Sequence, residues 1–218
     1  MDFIVLLDMD GVVCDYNARI LELAHTKLGL PLFHPEEVKE FNPEYMFEEE
    51  HQKAVDALSN EEGFYAYLPP IVGAVESIKE MRRFIRDKFG EVIVCTAPKK
   101  PSKNPFCTKE KLEWLAKHLD DDFANNAIIS RDKTLIRGSV LIDDKPVVSS
   151  ALTPVWEHVH FAHAYNEGLY LPRITSWPTW HKVIIPMFKD YFEYAERTRE
   201  ITPGTFVGSD RFPRGILH

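Results

Sequence analysis

The strongest constraint in this chain is a set of short apolar runs that do not alternate with polar residues. Phe3-Ile4-Val5-Leu6-Leu7 is the first; Val92–Cys95, Ala127–Ile129 and Val140–Ile142 follow, with a fifth over Val159–Ala162. A strand with one wet face alternates, whereas a run apolar at every position has to bury both faces, as strands of a parallel sheet do. Between the runs lie helical patterns. Val75, Ile78, Met81, Ile85 and Phe89 recur at helical spacing after the Pro69-Pro70 break. Leu112, Leu115, Ala116 and Leu119 do the same behind Thr108, which is expected as an N-cap. Short buried strands alternating with amphipathic helices predict βαβ units and a Rossmann-like α/β fold, a parallel sheet with helices on both faces.

One stretch interrupts this rhythm. Residues 16–70 carry helical patterns around Asn17–Leu28 and Glu48–Leu58, many acids and aromatics, and no convincing buried strand. They are expected to form a small helical cap inserted after the first strand. The organisation expected is a core over 1–15 and 71–190, a cap over 16–70, and a C-terminal tail over 191–218 that turns polar and rich in Gly and Pro. At 218 residues and 44% hydrophobic content, the chain can bury a core without disulfides or a structural metal. A net charge of −8 argues against a nucleic acid polymer as partner, though not against one small phosphorylated ligand. Three cysteines make no disulfide framework and point to a reducing compartment. The N-terminal apolar run is too short for a secretion signal, and no run is long enough for a membrane span, so a cytoplasmic location is expected.

In open parallel sheets ligands bind at the carboxyl ends of the strands. Asp8-Met9-Asp10-Gly11 follows the first run, Thr96-Ala97-Pro98 the second, Ser130-Arg131-Asp132-Lys133 the third and Asp143-Asp144-Lys145 the fourth. Clustered carboxylates repel one another unless a cation sits among them, and an all-oxygen set suits Mg²⁺.

These residues resemble a known family. Asp8-Met9-Asp10-Gly11-Val12, Thr96, Lys133 and Asp143-Asp144 match the four motifs of the haloacid dehalogenase (HAD) superfamily of phosphotransferases. The segments LLDMDGVVCDY, PPIVGAVESIKEM, VIVCTAP, SRDKT, LIDDKP and TPVWEHVHF are similar to those of the 5'(3')-deoxyribonucleotidases, over residues 1 to about 185. The resemblance implies a Mg²⁺-dependent phosphatase of (deoxy)nucleoside monophosphates, with a role in nucleotide metabolism. It implies Asp8 as nucleophile, Asp10 as general acid and base, and Thr96 and Lys133 on the phosphate. It implies Mg²⁺ held by Asp8, the Asp10 carbonyl and Asp143, with Asp144 behind them, and Tyr16, Phe41, Ala97 and Arg131 near the substrate. It also points to a homodimer. The chain departs from the vertebrate members in having no tryptophan before Trp114 and alanine at 97 where they have serine. Two other readings stay open: a phosphatase for another small ester, such as a sugar phosphate or phosphoglycolate, and a non-catalytic nucleotide-binding module.

Other features read as structural. His158 and His160 share a strand face, with His163 following, but lack a clear further metal ligand nearby. Trp177 and Trp180 are expected to dock the last helix on the sheet. Glu48-Glu49-Glu50 reads as a solvated helix face, and Cys14 as a small buried residue. Lys99, Lys100 and Lys103 read equally as a solvated loop or as steering groups for an anion.

Overall fold

The computed structural model describes residues 3–201. Six strands, β1 (Ile4–Leu7), β2 (Glu91–Thr96), β3 (Ile128–Ile129), β4 (Val140–Asp143), β5 (Glu157–Phe161) and β6 (Arg173–Ile174), form one sheet in the order β3-β2-β1-β4-β5-β6. Every pairing is parallel. The strands arise where the non-alternating runs predict them. The sixth, two residues long, is too short to leave a pattern. β1 lies at the centre, flanked by β2 and β4, so the residues that end these three strands meet at one edge.

The helices are α1 (Tyr16–Leu28), α2 (Glu49–Leu58), α3 (Ala74–Arg86), α4 (Cys107–His118), α5 (Asp121–Asn125) and α6 (His181–Ile201). Helix α6 runs on past residue 190, and residues 202–218 lie outside the described ones. Among the described residues, no helix is long and apolar enough to cross a membrane. Two details differ from expectation. Thr108 is not the cap of α4: the Asn104 side chain accepts from the N–H groups of Phe106 (2.8 Å) and Cys107 (2.9 Å), and Phe106 takes the cap position two residues earlier. Phe89 does not extend the buried stripe of α3; it follows the helix end at φ 61° with its ring in solvent.

The two sheet faces are covered unequally. Val5, Leu7, Val92, Val94, Val140 and Ile142 pack into one large core with buried residues of α1 to α6, such as Ile20, Leu58, Ile78, Leu115, Phe123 and Phe188. Each such burial contributes roughly 1.5–3 kcal/mol. On the other face Leu6, Cys95 and Leu141 meet Trp156, Ile136 and Val148, residues from loops and not from α-helices. The reason is length. The crossovers on this side, residues 130–139 and 144–156, carry a single 3₁₀ turn (Lys133–Leu135) and no α-helix. The α/β class therefore holds, with the α-helices on one face.

The segment over 16–70 holds α1, α2, two 3₁₀ turns (Pro35–Glu37, Pro43–Met46) and, among the described residues, no strand. The chain enters and leaves it side by side: Asp15 N–H donates to Pro69 O (2.8 Å) and Ile71 N–H to Val13 O (3.0 Å). Buried Glu110 of α4 accepts from the N–H groups of Gly63 (2.6 Å) and Tyr65 (3.0 Å), and Trp114 Nε1 donates to Leu68 O (2.7 Å). Phe47, Phe64 and Tyr65 are core residues; Phe41, Tyr45 and Tyr67 are exposed.

Candidate active site

The loop after β1 is a tight coil. The N–H groups of Val13 (2.8 Å) and Cys14 (3.0 Å) converge on Met9 O, and Gly11 takes φ 73°, a left-handed conformation open to glycine at no steric cost. A Cβ at position 11 would stand 2.4 Å from Asp144 Oδ2. Gly11 thus admits the Asp144 carboxylate against the backbone.

Asp8, Asp143 and Asp144 each offer a carboxylate oxygen within 4.8 Å of the others, and among the described residues this is the one such group of three acid, imidazole or thiol ligands. Lys133 Nζ bridges two of them, at 2.8 Å from Asp8 Oδ2 and 2.5 Å from Asp143 Oδ2. Its turn is fixed by Asp132, which accepts from Thr134 N–H (2.9 Å) and Thr134 Oγ1 (2.5 Å). Burial, partly offset by Lys133 and reinforced by Asp143, raises the Asp8 pKa from the ordinary aspartate value. Burial, then Asp143 and Asp8, raises that of Asp144 well above it. Lys133 is buried, yet Asp8 and Asp143 hold it firmly protonated.

A second lysine completes the site. Lys111 of α4 is fully buried, and its Nζ donates to Asp10 Oδ2 (2.8 Å), Thr96 Oγ1 (2.8 Å) and Ala97 O (2.9 Å), above the ring of Tyr65. Because Thr96 Oγ1 accepts from Lys111, its own O–H is left to donate outward. Four carboxylates, Asp8, Asp10, Asp143 and Asp144, thus face two ammonium groups. The surplus negative charge and the all-oxygen donors fit a hard divalent cation such as Mg²⁺.

The four carboxylates, Thr96 and Lys133 line a cleft of about 400 Å³, a volume in the range of small-molecule sites, with Lys111 buried behind it. All ten residues singled out in the sequence line it: Asp8, Asp10, Tyr16, Phe41, Thr96, Ala97, Arg131, Lys133, Asp143 and Asp144. Asn42, Glu44 and Asp56 add a polar wall from the 16–70 segment. Lys99 (3.3 Å) and Lys103 (3.6 Å) pair with Asp56 across the cleft mouth. Half-burial, with a contribution from Asp56, raises the Glu44 pKa.

Besides the polar wall of Asn42, Glu44 and Asp56, the sequence reading missed Lys111 and Tyr165. A signal for Lys111 existed: α4 buries Glu110 and Lys111 on the same face as Trp114 and Leu115, at i, i+3 and i+4. Tyr165 lies in a 3₁₀ turn (Ala164–Asn166) after β5, where no periodicity marks it. The histidines divide. His158 and His160 sit edge to face at 4.5 Å, and burial, then His160, pushes His158 down to about 4. His163 is separate from them: its Nε2 contacts Gly11 O at 2.6 Å. Trp177 is fully buried and donates to Val12 O (2.7 Å), and Trp180 is buried in the same core as α6. Cys14 is buried, and burial pushes its thiol well up.

A parallel sheet of this order, with an Asp-x-Asp loop, a hydroxyl, a lysine and paired aspartates at its strand ends, defines a hydrolase of the HAD superfamily. The fold agrees with a HAD family hydrolase from Deinococcus radiodurans, solved with bound phosphate and sodium; the TM-score is 0.52 at 15% identity, covering 85% of this chain and 96% of that one. The family "5' nucleotidase, deoxy (Pyrimidine), cytosolic type C protein" matches residues 2–189. The chain is 33% identical to the human 5'(3')-deoxyribonucleotidase, cytosolic type (83% of this chain, 92% of that one). It is 32% identical to the human mitochondrial 5'(3')-deoxyribonucleotidase (83% and 81%). The chain belongs to the 5'(3')-deoxyribonucleotidase family, and it is a phosphatase of the nucleotidase type.

Proposed function

We propose that this enzyme hydrolyses (deoxy)nucleoside 5'(3')-monophosphates to nucleoside and phosphate, with Mg²⁺ and through a phosphoryl group carried on Asp8. The observation that carries this reading is the Asp8–Asp143–Asp144 cluster bridged by Lys133, at the floor of a cleft walled by aromatic and polar residues.

Asp8 attacks phosphorus, forming an acyl phosphate as the P–O bond to the nucleoside breaks. Asp10 gives a proton to the departing oxygen. A water then attacks phosphorus, loses its proton to Asp10, and Asp8 leaves as a carboxylate with release of phosphate. Lys111 holds Asp10 by Oδ2, so proton exchange falls to Oδ1, whose contact is the weak Cys14 thiol donor at 3.7 Å. Lys133 keeps Asp8 oriented and offers positive charge to the phosphate; Thr96 donates its free O–H. Asp8, Asp143 and the Asp10 carbonyl would hold Mg²⁺ with Asp144 in support, and the ion when bound supplies charge neutralisation for two anions meeting. Residues 16–70 act as the cap that excludes water and contacts the nucleoside. Tyr16 and Phe41 offer ring faces to a base, and Arg131 lines the same cleft.

Phosphate release from dUMP, dTMP, UMP, dAMP, 3'-dUMP, phosphoglycolate and an aryl phosphate, with Mg²⁺ or EDTA, tests the reading. Deoxynucleotides should lead in kcat/KM, and EDTA and Asp8→Asn should each abolish release. Turnover confined to phosphoglycolate or the aryl phosphate would overturn the substrate assignment. Turnover by Asp8→Asn would overturn the nucleophile.

A further inference from the structure

We propose that Tyr165 is a positioning residue for the metal site, acting through Asp144; this rests on the Mg²⁺ reading above. Of the three clustered acids, Asp8 and Asp143 share the Lys133 ammonium. Asp144 has a different partner: the Tyr165 hydroxyl donates to its Oδ2 at 2.5 Å. The distinction is chemical. A cationic donor orients a carboxylate and cancels its charge, whereas a neutral hydroxyl orients it and leaves the charge for a metal ion. Asp144 is therefore the acid of the cluster whose charge no protein cation takes up by direct contact among the described residues.

Tyr165 is itself held on several sides. The His163 ring stacks flat on it, with centroids 4.9 Å apart and planes at 7°, and is anchored in turn to Gly11 O. The edge of Phe41, from the cap, meets the same ring at 5.8 Å. The next residue, Asn166, is fully buried and ties both ends of the turn: its Nδ2 donates to Asp144 O (2.8 Å) and Phe161 O (2.8 Å), while its Oδ1 accepts from His163 N–H (3.0 Å) and from Arg173 (2.9 Å). One turn thus grips Asp144 by its backbone carbonyl and by its carboxylate. With Gly11 leaving room for Oδ2, the rotation of the carboxylate is set from both sides. Aligning a metal-supporting acid in this way is typically worth 10- to 100-fold in metal affinity.

The test is calorimetric titration of Mg²⁺, and of Mn²⁺ as a second probe, into substrate-free protein. Tyr165→Phe keeps the ring, the His163 stack and the Phe41 contact and removes only the hydroxyl. It should weaken metal binding roughly 10- to 100-fold while leaving the thermal midpoint in EDTA within a few degrees of wild type. A double-mutant cycle with Asp144→Asn separates action through Asp144 from general damage: in the Asp144→Asn background, Tyr165→Phe should cost nothing further in metal affinity. Equal affinity in wild type and Tyr165→Phe, or a full loss persisting in the Asp144→Asn background, would overturn the proposal. Failure of wild type to bind either ion would instead overturn the Mg²⁺ reading on which it rests.

Discussion

The two ends of the cleft are built by different means. At the end proposed to take the phosphate, Asp8, Thr96 and Asp143 sit on or directly after central strands, and Asp143, Thr96, Lys111 and Lys133 are almost wholly buried, each with named partners under 3 Å. At the end proposed to take the nucleoside, Phe41, Asn42 and Glu44 sit on or beside the short Pro43–Met46 turn, and Phe41 is 41% exposed. The first end is over-determined: moving one group disturbs the sheet, a lysine and another acid together. The second rests on an edge-on ring contact and on lysine–carboxylate pairs screened by water. On the proposed function, chemistry is placed where the fold is stiff, and selectivity where substitution is cheap.

The sharpest way to break this contrast is at Asp8. Asp8→Asn should lower kcat by at least about 10⁴-fold, as loss of a nucleophile does, with substrate still bound in equilibrium dialysis. Next comes Lys111→Met, which strands Asp10 and leaves Thr96 unaligned. It should lower kcat roughly 100-fold with little change in KM, and cost about 3 kcal/mol in stability measured by urea unfolding; unchanged kcat would mean Lys111 is only structural. At the other end the effects should be smaller and of another kind. Phe41→Ala should raise nucleotide KM about three- to tenfold, as one lost ring contact does, and leave kcat for an aryl phosphate unchanged. A fall in kcat on both substrates would erase the distinction between the two ends.

Glu44→Gln should have the smallest effect, seen in stability against pH. The folded-state pKa of Glu44 is raised above 4.5, chiefly by half-burial. Its ionisation therefore opposes folding: the penalty is absent below the unfolded pKa and grows as pH rises through the folded value. The variant should have a flatter curve of thermal midpoint against pH above 4.5 and a slightly higher midpoint at pH 7. An unchanged curve would remove Glu44 as a strained group.

The same contrast explains how much could be read without coordinates. Val5, Leu6 and Leu7 announce a strand buried on both sides because no polar residue is tolerated there, and the acids that follow them fall at the strand ends by the geometry of a parallel sheet. Lys111 did not stand out because a lysine in a helix ordinarily faces water; its burial follows from partners some 100 residues away, such as Asp10. Tyr165 and the 3₁₀ turn that carries it have no period to detect. The sheet face covered by loops is likewise a property of two short crossovers, 130–139 and 144–156, and short connections resemble any other loop in sequence. Phe89 misled because α3 ends three residues before it, on a backbone turn that apolar spacing does not encode.

The paired backbone bonds where residues 16–70 leave and rejoin the core, Asp15 to Pro69 and Ile71 to Val13, have an evolutionary consequence. An excursion whose two ends are already fastened together can lengthen at little cost, because loop-closure entropy grows only with the logarithm of length. It can also be exchanged whole without altering strand order or register beneath it. If the floor carries the proposed phosphoryl transfer, this doorway would let it accept successive inserts, so that a lineage could change its substrates while inheriting its chemistry intact.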